Sequence, residues 1–278
     1  MKAIIIFELK RAFVNRAYLL ALLVGLGICA SHIIFAVLPA AENFHNMYAN
    51  NIEIPSDPYT IYTVWLLGPR TITQSNLYFF IFPLLISIPF VGSYFTDRNS
   101  GYAANVVTRA GAFRYYPAKL MAIFFSAASI AVIPLVIDLF VTALFIPAPM
   151  PSFSSGYFTI GPSDLWVSVF YQAPLLYHAM FFALIAGFAG LMGLLGAAFS
   201  YVVKHAAFTI LAPFAAYAFS SFFFESLGGA WIRYSPEMFI RSDQIVDVDV
   251  VALTVAFSVL MIALCTFFFV KIRKDEIY

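Results

Sequence analysis

Long apolar runs separated by short polar stretches dominate the pattern of this chain. Six runs of about 20 residues contain few or no charges, the length that a helix needs to cross a hydrocarbon core of about 30 Å. They occupy residues 17–38, 77–95, 120–146, 174–203, 206–224 and 250–270, and we call them spans one to six. The pattern predicts an all-α, polytopic membrane protein in which residues 1–278 form a single transmembrane domain.

Composition excludes several other classes of protein. Hydrophobic residues make up 63% of the chain and charged residues 10%, against roughly 25% charged residues in an average soluble domain. Too few polar side chains are present to cover a soluble fold, and the same figures exclude disorder, a disulfide scaffold and nucleic-acid binding. Both cysteines, Cys29 and Cys265, lie in apolar runs, so neither a metal site nor a disulfide is indicated.

The basic residues predict an orientation. With the N-terminus inside, the inner segments carry twelve Lys and Arg and four Asp and Glu, whereas the outer segments carry three and nine. Lys and Arg collect on the cytoplasmic side, so we expect both termini in the cytoplasm and a location in a cell membrane, a bacterial plasma membrane in particular. A cleaved signal peptide is the alternative for the N-terminus, but basic residues extend to Arg16 and the following apolar run of about 22 residues is too long.

Two segments flanking the spans have helical patterns of their own. In residues 1–16, Glu8, Arg11 and Asn15 recur on one side of a largely apolar stretch, with Lys10 on the opposite side. This imperfect pattern predicts an amphipathic interfacial helix along the inner leaflet. A frayed basic extension that only sets topology is the alternative. Residues 225–249 contain a part-apolar stretch framed by Gly and Pro, which favours short broken helices able to re-enter the membrane before span six. The outer segments 39–76 and 147–173 are polar, rich in proline and contain no convincing soluble domain.

Inner segment 97–119 holds the most informative polar pattern. Asp97, Asn99 and Ser100 are placed to cap a short helix over residues 103–108, and Gly111 then breaks it. Three cations, Arg109, Arg114 and Lys119, surround the break. The pattern predicts a helix parallel to the membrane that a cytoplasmic partner could bind, and a basic loop held by anionic lipid is the alternative.

This layout resembles the membrane subunits of ABC type 2 exporters along the whole chain. That family has an interfacial helix, six spans, a coupling helix between spans two and three, a short inner turn between spans four and five, and broken helices before span six. Its residue-level signature follows span two: an acidic-basic pair, a glycine, a short helix, a basic turn and a lysine that opens span three. The matching positions are Asp97, Arg98, Gly101, 103–108, 109–114 and Lys119.

The resemblance implies a division of labour between polypeptides. The chain would dimerise with a second copy or a paralogue, and two ABC ATPase subunits, carrying ATP and Mg²⁺, would dock from the cytoplasm. Their motion would reach the spans through the ATPase-coupling residues Asp97, Arg98, Gly101, Arg109, Arg114 and Lys119. The chain itself contains no GxxxxGK[ST] phosphate loop, so we expect no enzymatic activity and no cofactor bound by this chain.

Three titratable residues within the spans are further candidates for function, because polar groups in lipid are costly. Asp138, His32 and His178 all fall in the outer half of their spans. They are predicted to line an outward pathway or gate, with Asp138 paired to a histidine. The alternative is that each is wetted or bonded to a backbone carbonyl. A hydrolytic or metal site is disfavoured, because the spacing places no third ligand or nucleophile near them.

Span four contains glycines at a three-residue period: Gly187, Gly190, Gly193 and Gly196. With neighbouring alanines they give small-xxx-small spacings that let helix backbones approach closely, which predicts packing within the protomer, with a moving interface as the alternative. Aromatic residues surround span five and are expected to contact lipid and neighbouring helices, or else to form a wall for a substrate.

The sequence therefore predicts the permease subunit of an ATP-driven exporter. Its substrate is expected to be amphipathic or hydrophobic, such as a peptide, a drug or a lipid, moved by alternating access. Two alternatives remain at this point. A membrane-embedded binding, sensory or immunity protein could use the same scaffold without transport, and an intramembrane enzyme would need a convergent polar site.

Overall fold

The computed structural model describes residues 2–50, 60–68, 72–151, 160, 164–244, 248 and 250–276. Every regular element within these ranges is a helix. Six helical stretches are long and apolar enough to cross a membrane, so the chain is an all-α, multi-pass membrane protein. The predicted fold class is confirmed.

The helices follow one another along the chain with short connections. In order they are α1 (Lys2–Phe13), α2 (Arg16–His32), α3 (Leu38–Ala49), α4 (Ile61–Val64), α5 (Thr73–Ser87), α6 (Val91–Asn99), α7 (Tyr102–Ala110), α8 (Ala112–Phe145), α9 (Val167–Gln172), α10 (Pro174–Phe199), α11 (Ala206–Leu227), α12 (Pro236–Ile240) and α13 (Val250–Glu276). A π-helical turn, Ile33–Val37, joins α2 to α3, and a 3-10 helix, Gly229–Tyr234, precedes α12.

Most spans differ in extent from the apolar runs that predict them, for local reasons. Span one runs from α2 into α3 because Pro39 falls in the first turn of α3, where a missing N–H is tolerated. Span two is divided into α5 and α6 by a turn over residues 88–90 that contains Pro89. Span three is α8, which begins directly after Gly111, where φ is +86°. Lys119 therefore lies two turns inside this helix.

Spans two, three and four form the centre of the bundle. The helix α8 packs along α10, α2 packs on α5 and α8, and α11 packs on α5, α6 and α10. In the most apolar stretch of each span, 61% of the residues are buried in span two, but only 22% in span five and 11% in span six. Spans five and six therefore keep large apolar faces for the bilayer, and exposed residues there include Phe219, Phe222, Phe223, Val255, Val259 and Ile262.

The connections gather at two ends of the bundle. At one end the Tyr94 hydroxyl lies 2.8 Å from the Tyr201 hydroxyl, and Lys271 Nζ lies 4.9 Å from the centre of the same Tyr201 ring. These contacts join span two, the turn after α10 and the last part of α13. We call this the basic end, where α1 and α7 also lie. We call the opposite end, which holds α3, α4, α9 and α12, the far end.

Part of the first outer segment, which is polar over most of its length, is buried in the bundle. Residues 60–68, which we call the strap, insert into the far end of the bundle, and Trp65, Leu66 and Leu67 are at most 1% exposed. The reason is local sequence, since the strap is an apolar island within an otherwise polar segment. Residues 51–59 and 69–71 of that segment lie outside the described residues. The broken helices predicted within 225–249 are present as the 3-10 helix and α12.

Candidate functional site

Four charged side chains meet at the basic end: Glu8 and Arg11 of α1, Asp97 of α6 and Lys119 of α8. We call them the charge cluster. Lys119 Nζ donates to Asp97 Oδ2 over 2.7 Å and to Glu8 Oε2 over 3.3 Å. Arg11 donates to both carboxylates, at 3.0 Å to Asp97 Oδ1 and 2.9 Å to Glu8 Oε1. The cluster therefore joins the N-terminal helix to spans two and three.

The charge cluster is electrically balanced, and three of its four side chains are buried, whereas Arg11 is 29% exposed. The side chains of Lys119, Glu8 and Asp97 are 0%, 1% and 7% exposed, and Tyr115 adds a hydroxyl bond of 3.0 Å to Asp97 Oδ2. Two cations face two anions, with the ring of Phe90 3.9 Å from Lys119 Nζ. Each buried charge thus has hydrogen-bonding partners of opposite sign, the condition under which burial of ions is tolerated.

Arg11 remains charged in this setting. Burial by itself disfavours the guanidinium cation, but the hydrogen bonds that Arg11 donates to Asp97 and the charges of Glu8 and Asp97 outweigh burial and raise the pKa of Arg11. The polar side of α1 consequently faces the protein. Apolar residues of α1, including Ile6 and Phe7, are exposed instead, which is the face that an interfacial helix would present to lipid.

The structure places the six predicted coupling residues in four different settings. Asp97 and Lys119 are in the charge cluster. Arg98 stacks over the Tyr201 ring at 3.7 Å and donates to Ser200 O over 3.4 Å, so it holds the turn between spans four and five. Gly101 begins α7 with a φ of +77°. The other two cations, Arg109 and Arg114, are exposed.

The prediction that Asp97, Asn99 and Ser100 cap the short helix is wrong. The helix α7 begins at Gly101 without a side-chain cap, and Asp97 lies inside α6 with its carboxylate turned to the charge cluster. The reason is that α6 continues to Asn99, so the chain turns at Gly101 instead. Only a residue tolerating positive φ fits there easily, and glycine does so at little cost.

The helix α7 has one side packed on the protein and one side exposed. Ala103 is buried, and Tyr102, Val106 and Val107 pack on the core at the basic end. The opposite side, with Asn105, Thr108 and Arg109, is exposed. In addition, Arg11 lies 4.8 Å above the Tyr102 ring, so α7 contacts the charge cluster directly.

Sequence reasoning missed two members of the charge cluster. Glu8 and Arg11 were recognised only as the polar side of α1, and nothing in their spacing relates them to Asp97, which lies 86 residues from Arg11 along the chain. A signal was nevertheless present. Glu8 is the one acid in the inner segment before span one, surrounded by isoleucine, phenylalanine and leucine, and an isolated acid there needs a cationic partner.

At the far end, Asp138 and His32 are in direct contact and fully buried. His32 Nδ1 lies 2.7 Å from Asp138 Oδ1, and His32 Nε2 lies 2.8 Å from Val64 O. Because a carbonyl oxygen only accepts, Nε2 carries a proton and donates it to Val64. A single proton between Nδ1 and Oδ1 makes the other bond. The second carboxylate oxygen, Asp138 Oδ2, accepts from Leu66 N over 2.8 Å.

The Asp138 and His32 pair therefore binds the strap. Its bonds to Val64 and Leu66 fix two peptide groups of an irregular segment that is buried among spans. Buried peptide groups without partners are costly, so this pair compensates for inserting non-helical backbone into the bundle. Both side chains are 0% exposed, so neither is wetted.

His178 lies on another side of the strap and does not join the pair. Its Nδ1 bonds to Pro174 O within its own helix, and its ring packs 4.2 Å from the Trp65 ring and 5.2 Å from the Tyr62 ring. This is the arrangement of the alternative hypothesis, a span histidine bonded to a backbone carbonyl. The three predicted gate residues thus surround the strap but divide into a pair and a single packed ring.

Arg241 is a second buried cation, at the far end after α12. It is 0% exposed, and it donates to Asp243 Oδ1 over 2.9 Å, Asn76 Oδ1 over 3.1 Å and Ser75 Oγ over 3.3 Å. The sequence placed Arg241 in an outer loop. Because its partners lie in α5 and beyond α12, Arg241 anchors the broken segment to the start of span two.

Glycines of span four lie at different contacts. A β-carbon on Gly190 or Gly193 would meet span three, at 2.3 Å from the Phe124 ring and 3.1 Å from Ala127 Cβ respectively. On Gly196 it would meet Val91 Cγ1 at 2.6 Å and Thr209 O at 3.1 Å. A β-carbon on Gly187 would meet nothing within 4 Å. Gly190, Gly193 and Gly196 therefore allow close helix contacts, and Gly187 borders open space.

Several cavities lie among the described residues of the bundle, and four of them bear on function. One, of about 730 Å³, lies between spans two and five and α12 and includes Glu225 and Glu237. The other three, of about 480, 350 and 400 Å³, are lined by apolar residues along α13. Neither His32, Asp138 nor His178 is among the residues lining these four cavities. Within the described chain, no three His, Cys, Asp or Glu side chains are grouped so as to hold a metal ion.

Comparisons with known proteins find no relative of this chain. No family model, no curated protein and no solved structure matches the chain. What can be concluded about function therefore rests on the residues and contacts described above, and what they show is a six-span, all-α membrane protein.

Proposed function

We propose that this chain is the membrane subunit of an ATP-driven exporter of the ABC type 2 kind, working with a separate ATPase. The observation that carries the proposal is α7, a short helix between two glycines of positive φ at the basic end. Its exposed side carries Arg109, and Arg114 follows in the first turn of α8. A cytoplasmic protein with an acidic groove is the partner that such a surface fits.

Contacts beneath α7 support a role in transmitting motion. The Tyr102 ring lies against Arg11, and Arg11 bonds to Asp97, which bonds in turn to Lys119. A displacement of α7 would therefore move α1, span two and span three together, because the buried charges cannot separate without losing their partners. Asp97 and Lys119 act in this proposal as positioning residues, and Arg109 and Arg114 as the docking residues.

The remaining features of the proposal follow the family resemblance. Two copies of the chain, or one copy and a paralogue, form the transport unit in a bacterial plasma membrane, with both termini and α7 in the cytoplasm. ATP and Mg²⁺ bind to the ATPase subunits alone. The apolar cavity of about 480 Å³ that α10, α11, α12 and α13 enclose supports an amphipathic or hydrophobic substrate, since it offers no charged group to a small ion.

The test is capture of an ATPase from native membranes with the full-length chain as bait. We expect mass spectrometry to identify a Walker-type ATPase in the eluate. Reversal of charge in Arg109→Glu/Arg114→Glu should abolish its recovery. The matched control is Lys10→Glu/Lys204→Glu, which makes the same change of charge at exposed positions of the basic end outside α7, and the ATPase should remain bound.

Two outcomes would overturn the proposal. Recovery of no ATPase with the unmodified chain would favour a binding, sensory or immunity protein on the same scaffold. Equal recovery with the docking variant and with the unmodified chain would remove α7 from the role of docking surface. Folding of each variant is checked by its elution as a monodisperse species in detergent.

A further inference from the structure

Three apolar cavities lie along α13. The first lies near the far end and includes Trp231, the second lies in the middle, and the third lies near the basic end. Leu191 and Phe257 line both the first and the second, and Phe124 lines both the second and the third. The second and third cavities are adjacent, between α13 and spans three and four, and we call these two together the α13 furrow. The first lies on the other side of the contact between α10 and α13, against α11 and α12.

The chemistry of the furrow excludes water as its filling. None of its lining residues is charged, and the hydrogen-bonding side chains among them are limited to Ser258 and the thiol of Cys265. A buried water needs two to four polar partners. An empty furrow would in turn deprive its aromatic and aliphatic walls of dispersion contacts on one side. An apolar molecule satisfies both conditions.

Dimensions restrict that molecule to something thin. The lining residues of α13 run from Phe257 to Ile272, about 22 Å at about 1.5 Å per residue, most of a hydrocarbon core of about 30 Å. Yet α13 contacts both α8 and α10, with Cα atoms within 8 Å. A further helix, about 10–12 Å across with its side chains, does not fit between them, whereas a single hydrocarbon chain does.

The furrow is open to the surface that lipid covers. Ile262 and Met261 line the second cavity, and their side chains are 65% and 41% exposed. The neighbouring outer faces of spans five and six are apolar as well, so the molecule that surrounds the opening is bilayer lipid. A polar substrate from water has no comparable access.

We propose that the α13 furrow is a binding site for one acyl chain of a membrane phospholipid, which fills the space between span six and spans three and four. Span six is the least buried span, and the bound chain supplies packing that its protein neighbours do not. This site does not depend on export, because its occupancy follows from the shape and chemistry of the furrow alone.

The test uses vesicles of phosphatidylcholine with a photoactivatable diazirine in one acyl chain. After reconstitution and illumination, mass spectrometry should find crosslinks at Phe124, Leu191 and Phe257 well above those at Phe219 and Phe222, which report ordinary surrounding lipid. In Gly187→Leu the new side chain enters the furrow, since Gly187 lines its second cavity and a β-carbon there meets no atom within 4 Å. Crosslinking in the furrow should fall at least about tenfold, because each displaced methylene changes affinity about fourfold.

Gly27→Leu is the matched control, because a β-carbon on Gly27 also meets nothing within 4 Å and Gly27 lines none of the three cavities. Its crosslinking pattern should be that of the unmodified chain. Ser258→Leu, at another lining position, replaces Gly187→Leu if that variant fails to elute as a monodisperse species. Furrow crosslinking no stronger than at Phe219, unchanged crosslinking in the filled variants, or protein–protein crosslinks through α13 in place of lipid adducts would each overturn the proposal.

Discussion

Lys119 and Asp97 form a buried ion pair of 2.7 Å between spans two and three. The two residues are 22 positions apart, separated by all of α7, and both also belong to the charge cluster with Glu8 and Arg11. The pair thus closes a loop whose outward side is the proposed docking surface. Its energetic contribution can be measured by removing one partner and then both.

Lys119→Met should lower the free energy of unfolding by about 3–5 kcal/mol, because it leaves two buried carboxylates facing one cation. The double variant Asp97→Asn/Lys119→Met should recover part of this loss, since Glu8 and Arg11 then remain as a balanced pair. Unfolding of the full chain in detergent, followed by circular dichroism, measures both. A loss equal to that of Lys10→Met, at an exposed position of α1, would contradict the described coupling.

Arg98→Ala should separate stability from docking. It removes the stacking on Tyr201 and the bond to Ser200, and we expect a loss of about 1 kcal/mol in unfolding free energy. Recovery of the ATPase should stay unchanged, since Arg98 faces the turn after α10 and not the exposed side of α7. Capture with Arg98→Ala as bait checks this, and loss of the ATPase would show that Arg98 takes part in docking.

Asp138→Asn should loosen the strap. The amide keeps one acceptor oxygen where the carboxylate bonds to both His32 and Leu66 N, and a buried donor left without a partner costs about 1–3 kcal/mol. Hydrogen exchange at the Leu66 amide should become faster. The control is Thr142→Val, one turn further along α8, where a buried hydroxyl has no hydrogen-bond partner. It should change neither the free energy of unfolding nor the exchange rate of the Leu66 amide. Unaltered exchange in Asp138→Asn would show that the strap is held by packing alone.

Gly196→Ala should destabilise the contact of span four with spans two and five by about 1–3 kcal/mol, a typical cost of overpacking. The added methyl would lie 2.8 Å from Pro213 Cγ and 3.1 Å from the backbone oxygen of Thr209, which has little freedom to move. Gly187→Ala has open space and should be neutral or stabilising by up to about 1 kcal/mol. Thermal unfolding of the two variants gives the comparison, and equal melting temperatures would contradict it.

Hydrophobic periodicity carried the prediction of the fold, because a span is determined by its own length and composition. A break at Gly111 correctly indicated where α7 ends, so the helix predicted over 103–108 agrees with α7 within two residues at each end, although the residues expected to cap its start do not do so. Hydrophobic periodicity did not anticipate that the strap enters the bundle. An apolar stretch as short as 60–68 is compatible with a surface patch, and only the bonds to Asp138 and His32 show where it lies.

Candidate residues were identified more reliably than their partners. Asp97, Lys119 and Asp138 were recognised because charge near or within lipid is costly, which is a property of each residue alone. The packing of segments that are far apart in the chain decides their partners: Lys119 contacts Glu8, and Asp138 contacts the Leu66 amide. No spacing rule relates such positions.

The sequence by itself determined that this protein has six apolar helices, a strong asymmetry of charge between its two sides and a short helix between spans two and three. These features arise from interactions of each segment with lipid or water, so a segment carries them wherever it lies. Tertiary structure alone decided that Glu8 and Arg11 complete a neutral cluster with Asp97 and Lys119, that Asp138 holds the strap, and that α13 leaves a furrow. Those outcomes depend on complementary shape and charge between distant segments, and such complementarity exists only once the helices are packed together.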